Sequence, residues 1–185
     1  MAKGHLVKVN FEVINSNWGK NALERVLAAI KPEHARILTE KPILSSAWYP
    51  FPAHADLAMT SCRLLMNGDV EYYRIGARTH LGLLSKFLHR ILFMTVRSPQ
   101  DMINKGPSFW KMNFNMGKVE VSHTGPGECS FEASGFPFDH QYFEVWNGTL
   151  FWFEDALARS GAKNIRSRLF KPLNGVVGLE FKWDR

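Results

Sequence analysis

The chain has 185 residues, 45% of them hydrophobic and 22% charged, which is the composition of an ordinary globular domain with a single core. Its formal charge of +6 is compatible with acidic partners, anionic lipid or nucleic acid, and more simply with an ordinary protein surface. No apolar run is long enough to span a bilayer, and Met1–His5 lacks the apolar core of a signal peptide. With two cysteines and no CxxC pair, we expect a cytoplasmic protein without a structural zinc site.

Helical patterns dominate the first half of the chain. The segment Leu6–Ile14 alternates loosely and fits either a strand or the lead-in to a helix. An irregular connection between Pro42 and Pro50 carries Trp48 and Tyr49. Capping residues, prolines and helical spacing predict helices over Asn21–Ile30, His34–Leu38, Pro52–Met66, Asp69 to about Val96, and Ser98–Ile103.

The periodicity changes after Gly117. Two segments that alternate with period two, Lys118–His123 and Glu128–Ser134, flank a Gly-Pro-Gly turn and predict a β-hairpin. A helix over Tyr142–Ala158 and a second pair of strands, Asn164–Phe170 and Val176–Trp183, complete the chain. Strands paired through short turns imply an antiparallel sheet, so the predicted class is α+β, with a helical layer packed on a small antiparallel sheet.

No catalytic motif is present. The sequence has no GxSxG, GxxxxGK[ST] or HExxH pattern. An enzyme would require the fold to gather His54, His80 or His140 with a carboxylate or with Cys62 in a cleft. We therefore predict no catalytic residue and no metal ligand, and the sequence assigns no cofactor.

A pair of basic residues is the first candidate for binding. Arg74 and Arg78 lie one helical turn apart and flank Gly76, where a close approach is possible. They can bind a phosphate or an acidic head group through charge-assisted hydrogen bonds, or they can simply form a solvated helix face. Basic residues among aromatics, as in Phe109–Lys111, also occur in proteins that bind single strands, but no further signature favours nucleic acid.

A segment rich in aromatic and methionine side chains, Ser108–Met116, is the second candidate. Such side chains adapt to apolar ligands, but they also fill cores and anchor dimer interfaces, so all three roles stay open. The walls of a ligand pocket are predicted from these and other residues, with Arg74 or Arg78 neutralising a polar head group: Trp48, Tyr49, Leu84, Phe109, Trp110 and Phe114.

An ordered set of segments carries a family resemblance: SSAWYP at residues 45–50, YYRIGAR at 72–78, SPQDMINKGPSFWKMNFNMGKVEV at 98–121 and GTLFWFEDALARSGAKNI at 148–165. This order resembles a family of uncharacterised bacterial proteins that is numerous in myxobacteria. That family is similar in turn to the 4-vinyl reductase-type ligand-binding domain and to haem-NO-binding-associated domains, which share a TRAPP-like fold. The resemblance spans roughly Ser45–Trp183. It implies a single domain over residues 1–185, in which residues 1–44 form an N-terminal helical extension of a core at 45–185.

The resemblance implies a cytoplasmic sensory or scaffold domain, often dimeric, with a cavity for a small apolar ligand. A haem-based gas sensor would need a proximal histidine and a Tyr-x-Ser-x-Arg clamp for the haem propionates. Ser167 and Arg168 have no tyrosine at that spacing, and the C-terminal strands lack the cysteines of the 4-vinyl reductase type, so we expect neither haem nor a metal there. The positions that match the recurrent pattern are Trp48, Tyr49, Pro50, Arg74, Gly76, Gly148 and Gly161.

The sequence thus favours a non-enzymatic sensory or regulatory module. It would bind a small apolar or amphipathic ligand and signal through protein contacts, with a second copy of itself or another signalling protein as the partner. The alternative is a structural homodimer or assembly subunit whose aromatic residues anchor an interface and that binds no ligand.

Overall fold

The computed structural model describes residues 1–84, 95–136 and 141–184, with the backbone alone at 83–84 and 172–173. Helices form one layer and a four-stranded antiparallel sheet forms the other, so the predicted α+β class is confirmed. The TRAPP-like assignment stays a prediction. The helices are α1 Gly4–Trp18, α2 Lys20–Ala29, α3 Pro32–Thr39, α4 Phe51–Met66, α5 Glu71–Leu84, α6 Pro99–Asn104, α7 Gly106–Asn113 and α8 Trp146–Arg159.

Two antiparallel sheets are present in the described ranges. The larger has the strand order β3-β4-β6-β5, and the smaller joins β1 to β2. The strands are β1 Ala2–Lys3, β2 Trp48–Tyr49, β3 Lys118–Gly125, β4 Glu128–Ser134, β5 Lys163–Leu173 and β6 Val176–Asp184. Both predicted strand pairs are therefore confirmed, and each is joined by a short turn.

Alternation along β4 and β6 determines which side chains face the helices. Phe131 pairs with Val121 on one side and with Leu179 on the other. Phe131, Ala133 and Leu179 are at most 2% exposed, whereas their sequence neighbours Glu132 and Glu180 are exposed. Because successive strand residues point to opposite faces, one face of the sheet packs under the helices and the other meets solvent.

The N-terminal segment whose pattern fitted a strand or a helix forms the helix α1. Val7 and Ile14 are seven residues apart, about two helical turns, and both are fully buried against α2–α4. Val9 and Val13 are buried in a second cluster, the one that contains Phe131. The helix therefore packs into the core, and the predicted division between residues 44 and 45 stays a prediction.

The connection around Trp48 is more regular than the sequence indicated. Trp48 and Tyr49 form β2, in which Tyr49 pairs with Ala2. The start of α1 lies directly against this connection, since a Cβ on Gly4 would run into the carbonyl oxygen of Leu44. Glycine is therefore required at the start of α1.

The middle of the chain matches the prediction in part. The helix predicted from Asp69 to about Val96 is described as α5 up to Leu84, and residues 85–94 lie outside the described ranges. Ser98 caps α6, since its Oγ accepts a hydrogen bond from the Asp101 amide at 3.1 Å. The aromatic segment that follows begins as a helix, α7, which the sequence did not predict. No helix in the described part of the chain combines the length and apolarity that a bilayer crossing requires.

Candidate functional site

A cavity of about 130 Å³ lies where the helical layer meets the inner face of the sheet. Side chains from α1, α4, α5, α7 and α8 and from the strands β3, β4 and β6 line it, so every layer of the fold contributes to it. Most of them are apolar, and the described lining contains no charged side chain. The lining residues are Leu6, Val9, Asn10, His54, Ala58, Tyr72, Tyr73, Gly76, Ala77, His80, Gly106, Phe109, Trp110, Asn113, Phe114, Val119, Phe131, Ala133, Val145, Trp146, Gly148, Thr149, Trp152, Phe153 and Leu179.

Stacked rings form one wall of the cavity. Trp110 stacks on Trp146 with ring centroids 5.2 Å apart and planes 6° from parallel, and it stacks on Phe114 at 4.2 Å. Phe109 meets Trp152 edge to face at 4.8 Å. Aromatic pairs at these separations stabilise one another, so this wall presents a fixed arrangement of ring faces and edges.

Asparagines from α1 and α7 form a polar patch in the lining. The amide of Asn113 donates to the Phe109 carbonyl at 2.8 Å, and its Oδ1 lies 2.7 Å from Nε2 of His5. The amide of Asn10 donates to the Leu6 carbonyl at 3.0 Å, and its Oδ1 accepts from the Tyr72 hydroxyl at 3.1 Å. Both asparagines are thus committed to protein partners, which fixes this part of the lining.

His54 on α4 is the exception in this polar patch. The residue is 6% exposed, and its buried Nδ1 has no hydrogen-bond partner in the described parts of the chain. Burial, and next the nearby charge of His5, lower the pKa of His54 to about 4, so its ring is neutral at pH 7. A buried polar atom without a partner is uncommon in proteins and costs free energy, which makes His54 a candidate for a polar contact with a ligand.

The predicted arginines lie elsewhere, between α5 and α8. Nη1 of Arg74 donates to Glu154 at 2.6 Å, and its guanidinium lies 3.9 Å from the centre of the Phe151 ring. Arg78 is 60% exposed and approaches Asp155 at 3.7 Å. Neither arginine is among the lining residues, and both have carboxylate partners within the fold.

The other predicted site residues divide into two groups. Phe109, Trp110 and Phe114 line the cavity. Trp48 and Tyr49 do not. The ammonium group of Lys3 lies 3.9 Å above the Trp48 ring, and the Tyr49 hydroxyl accepts from the Leu44 amide at 3.0 Å. The side chain of Leu84 is outside the described residues.

Gly76 and Gly148, two of the glycines in the family pattern, also line the cavity. The asparagines of the polar patch were not predicted from the sequence, and His54 was a candidate only for an enzyme. A polar residue on an apolar helix face was the available signal.

The described chain offers neither a thiolate nor a cluster of metal ligands. Burial raises the pKa of the Cys62 thiol to about 11 and that of Cys129 to about 12, so neither is a thiolate at pH 7. Within residues 1–84, 95–136 and 141–184, no three histidine, cysteine or carboxylate side chains are arranged to hold a metal ion.

Comparison with known proteins identifies the fold. Neither a protein-family model nor a curated protein matches the sequence. Among solved structures, the Fe(II) unliganded H-NOX protein from K. algicida superimposes with a TM-score of 0.74 and 11% identity, over 99% of this chain and 97% of that chain. The fold is that of H-NOX proteins.

Two further structures agree. An H-NOX protein from S. oneidensis in the Fe(II) ligation state gives a TM-score of 0.73 at 11% identity, over 99% of this chain and 96% of that one. An oxygen-binding H-NOX domain related to soluble guanylate cyclases gives 0.63 at 10% identity, over 99% and 95%. At these identities the similarity establishes the fold alone.

The H-NOX fold raises the question of haem, and the cavity of this chain does not fit it. A dry cavity of about 150 Å³ holds one benzene ring, so 130 Å³ is far too small for a tetrapyrrole. No lysine or arginine in the described lining is available to pair with the two propionates, whose burial without partners would be costly. The wall at α7 is closed as well, because a Cβ on Gly106 would run into the Phe131 ring.

Proposed function

We propose that this chain is a non-enzymatic sensory module that binds a small apolar molecule in the cavity and transmits its presence to a partner protein. The observation that carries the proposal is the cavity itself, which lies between the two layers of the fold and is lined mainly by apolar and aromatic side chains. Pockets of this kind are where small ligands bind. The H-NOX fold supports a sensory role by analogy.

The energetics favour a guest of modest size. Side chains around an empty apolar cavity lack van der Waals partners on one side, and a guest that fills the space restores those contacts. Such cavities bind ring-sized apolar molecules without any polar contact. A guest of this kind would therefore bind in the cavity even if no hydrogen bond formed.

The same lining supports binding rather than chemistry. No carboxylate, lysine or thiol is present in the lining that the structure describes, so it lacks a charged nucleophile and a charged general base. His54 and His80 line the cavity, and the described lining contains no acidic side chain. These observations support the non-enzymatic part of the proposal.

A guest has a direct route to influence the surface. Gly76 on α5 and Gly148 on α8 both line the cavity, and the outer sides of these helices carry Arg74 and Glu154. A shift of α5 against α8 would therefore change the surface that a partner reads. We propose that the partner is a second copy of this chain or another signalling protein, in the cytoplasm.

Filling the cavity from within tests this function. Toluene binding is measured by titration calorimetry on the wild-type protein and on Gly76→Leu, whose added side chain has no atom within 4 Å of its Cβ position. Gly82→Leu is the matched control, since Gly82 lies on the same helix, is exposed and does not line the cavity. We expect toluene to bind the wild type and the control but not Gly76→Leu. No binding to the wild type would overturn the proposal.

The structural alternative has a separate test. Among the described residues, the large hydrophobic side chains that are most exposed are Met1, Leu44, Leu64 and Val70, and no aromatic ring is in this group. This distribution offers no mostly exposed aromatic anchor for an interface in the described part of the chain. Sedimentation at several concentrations distinguishes the ligand-binding role from the structural role. A stable dimer that binds no guest would favour the structural role.

A further inference from the structure

We propose that the preferred guest is a single aromatic ring that carries one uncharged hydroxyl group, a phenol, with its hydroxyl hydrogen-bonded to the imidazole of His54. This inference deepens the proposed function and rests on it, since it names the chemical class that the same cavity takes. It follows from the size of the cavity, from its aromatic wall and from the imidazole of His54, which lines the cavity.

Size limits the guest to one ring. The cavity of about 130 Å³ is slightly smaller than the cavity of about 150 Å³ that accommodates benzene. The ring faces and edges of Phe109, Trp110 and Trp152 favour a planar aromatic guest, because offset or edge-to-face contacts add to the simple burial of area. A saturated guest of equal volume would lack this contribution.

Hydrogen bonding identifies the substituent. Asn10 and Asn113 have protein partners for their amide and carbonyl groups, so they compete little for a ligand. The imidazole of His54 lines the cavity, and its Nδ1 has no such partner in the described chain. A guest hydroxyl that reaches this ring gains a hydrogen bond. A hydroxyl suits it in either tautomer, because an O–H group can donate to a bare nitrogen or accept from an N–H group.

Charge excludes the related acids and amines. The described lining contains no lysine or arginine for a carboxylate and no aspartate or glutamate for an ammonium group. Burying either ion without a partner costs far more than one hydrogen bond returns. Benzoate and benzylamine should therefore not bind, although their rings match that of phenol.

A cycle of two ligands and two proteins tests the inference. Phenol and toluene have nearly the same shape and differ in a hydroxyl against a methyl group. Their Kd values are measured by calorimetry on the wild type and on His54→Leu, in which an apolar side chain of similar size replaces the imidazole. We expect the ratio of toluene Kd to phenol Kd to fall about 3- to 10-fold in His54→Leu, the equivalent of one neutral hydrogen bond.

Two further variants serve as controls. Val9→Ala removes lining carbon and no polar group, so it should weaken both ligands while leaving their ratio unchanged. His54→Gln keeps a side chain that can donate and accept, and it should retain part of the preference for phenol. It also supplies the comparison if His54→Leu does not fold, as judged by circular dichroism.

The outcomes separate this inference from the proposed function. If both rings bind the wild type and the two His54 variants have the same Kd ratio as the wild type, the cavity binds guests but His54 does not select them. In that case the inference fails alone. If neither ring binds the wild type, the proposed function fails and the inference fails with it. Binding of benzoate as tightly as phenol would also contradict the inference.

Discussion

Arg74 and Glu154 form an ion pair that joins α5 to α8, with Nη1 and Oε2 2.6 Å apart. The same carboxylate accepts a hydrogen bond from the hydroxyl of Ser167 on β5, and the guanidinium covers the Phe151 ring. One arginine therefore links two helices, and through Glu154 it is connected to the sheet. This arrangement assigns Arg74 to the stability of the fold, outside the described lining of the cavity.

The first prediction concerns this pair. Arg74→Ala should lower the free energy of unfolding by about 2 kcal/mol, because it removes a charge-assisted hydrogen bond and a cation–π contact from a half-buried site. Arg78→Ala is the control and should cost less than about 0.5 kcal/mol, because Arg78 is mostly exposed and its ion pairs are long. Urea denaturation measures both. Loss of toluene binding in a folded Arg74→Ala protein would instead support a ligand-binding arginine.

The second prediction concerns acid stability at α3 and α4. Oδ2 of Asp56 accepts from Nδ1 of His34 at 2.8 Å and from the Lys31 amide at 3.0 Å. Burial alone would raise the pKa of Asp56, but these hydrogen bonds outweigh it and the pKa is lowered. A lowered pKa stabilises the fold above the ordinary carboxyl value, and this stabilisation is lost as the pH falls through the lowered value.

The measurement for Asp56 is urea denaturation at several pH values. Asp56→Asn should be about 1–2 kcal/mol less stable than the wild type at pH 7, and the gap should close below about pH 4. Glu120→Gln removes an exposed carboxylate and should change stability by less than about 0.5 kcal/mol throughout. A gap that stays constant down to acid pH would show that the Asp56 charge does not matter.

The third prediction concerns His54. Its pKa is about 4 in the folded chain and about 6.5 when unfolded, so between these values the unfolded chain binds the proton and the folded chain does not. Stability is therefore complete above the unfolded value and is lost as the pH falls towards the folded one. From pH 6.5 to 5 the wild type should lose about 2 kcal/mol more than His54→Leu. Equal losses in both proteins would mean that His54 is already protonated or accessible.

The fourth prediction concerns haem. Purified protein titrated with haem should show no stoichiometric shift of the Soret band, because the cavity is too small and its described lining offers no cation to the propionates. Absorption spectroscopy measures this directly. A sharp one-to-one Soret band that disappears in His54→Leu would contradict the conclusion that the cavity does not fit haem. It would also make His54 a haem ligand.

The sheet could be predicted well because its signal is local. Period-two alternation over Lys118–His123 and Glu128–Ser134 specifies both the strands and the face that is buried, and the observed pairing of Val121 with Phe131 agrees with it. α1 was ambiguous for a physical reason. Its valines suit a strand as well as a helix, and the choice depends on packing against α2–α4, which are distant in sequence.

The candidate site could be predicted only in part. Phe109, Trp110 and Phe114 stood out because they are close together in sequence and unusually aromatic. Asn10, His54 and Asn113 come from three separate helices, and no local pattern links them. Arg74 and Arg78 were grouped as a binding pair because their acidic partners, Glu154 and Asp155, follow almost 80 residues later in the chain.

The position of the Arg74–Glu154 pair also determines which residues of the chain can change without loss of the fold. Because this pair holds the two helices together from outside the described cavity lining, a substitution at His54 or Val9 does not touch it. A duplicated copy of the gene could thus change its ligand specificity through a few substitutions in the lining while the protein keeps its fold. In this fold, the ion pair that stabilises the helix packing and the side chains that determine ligand specificity can therefore evolve separately.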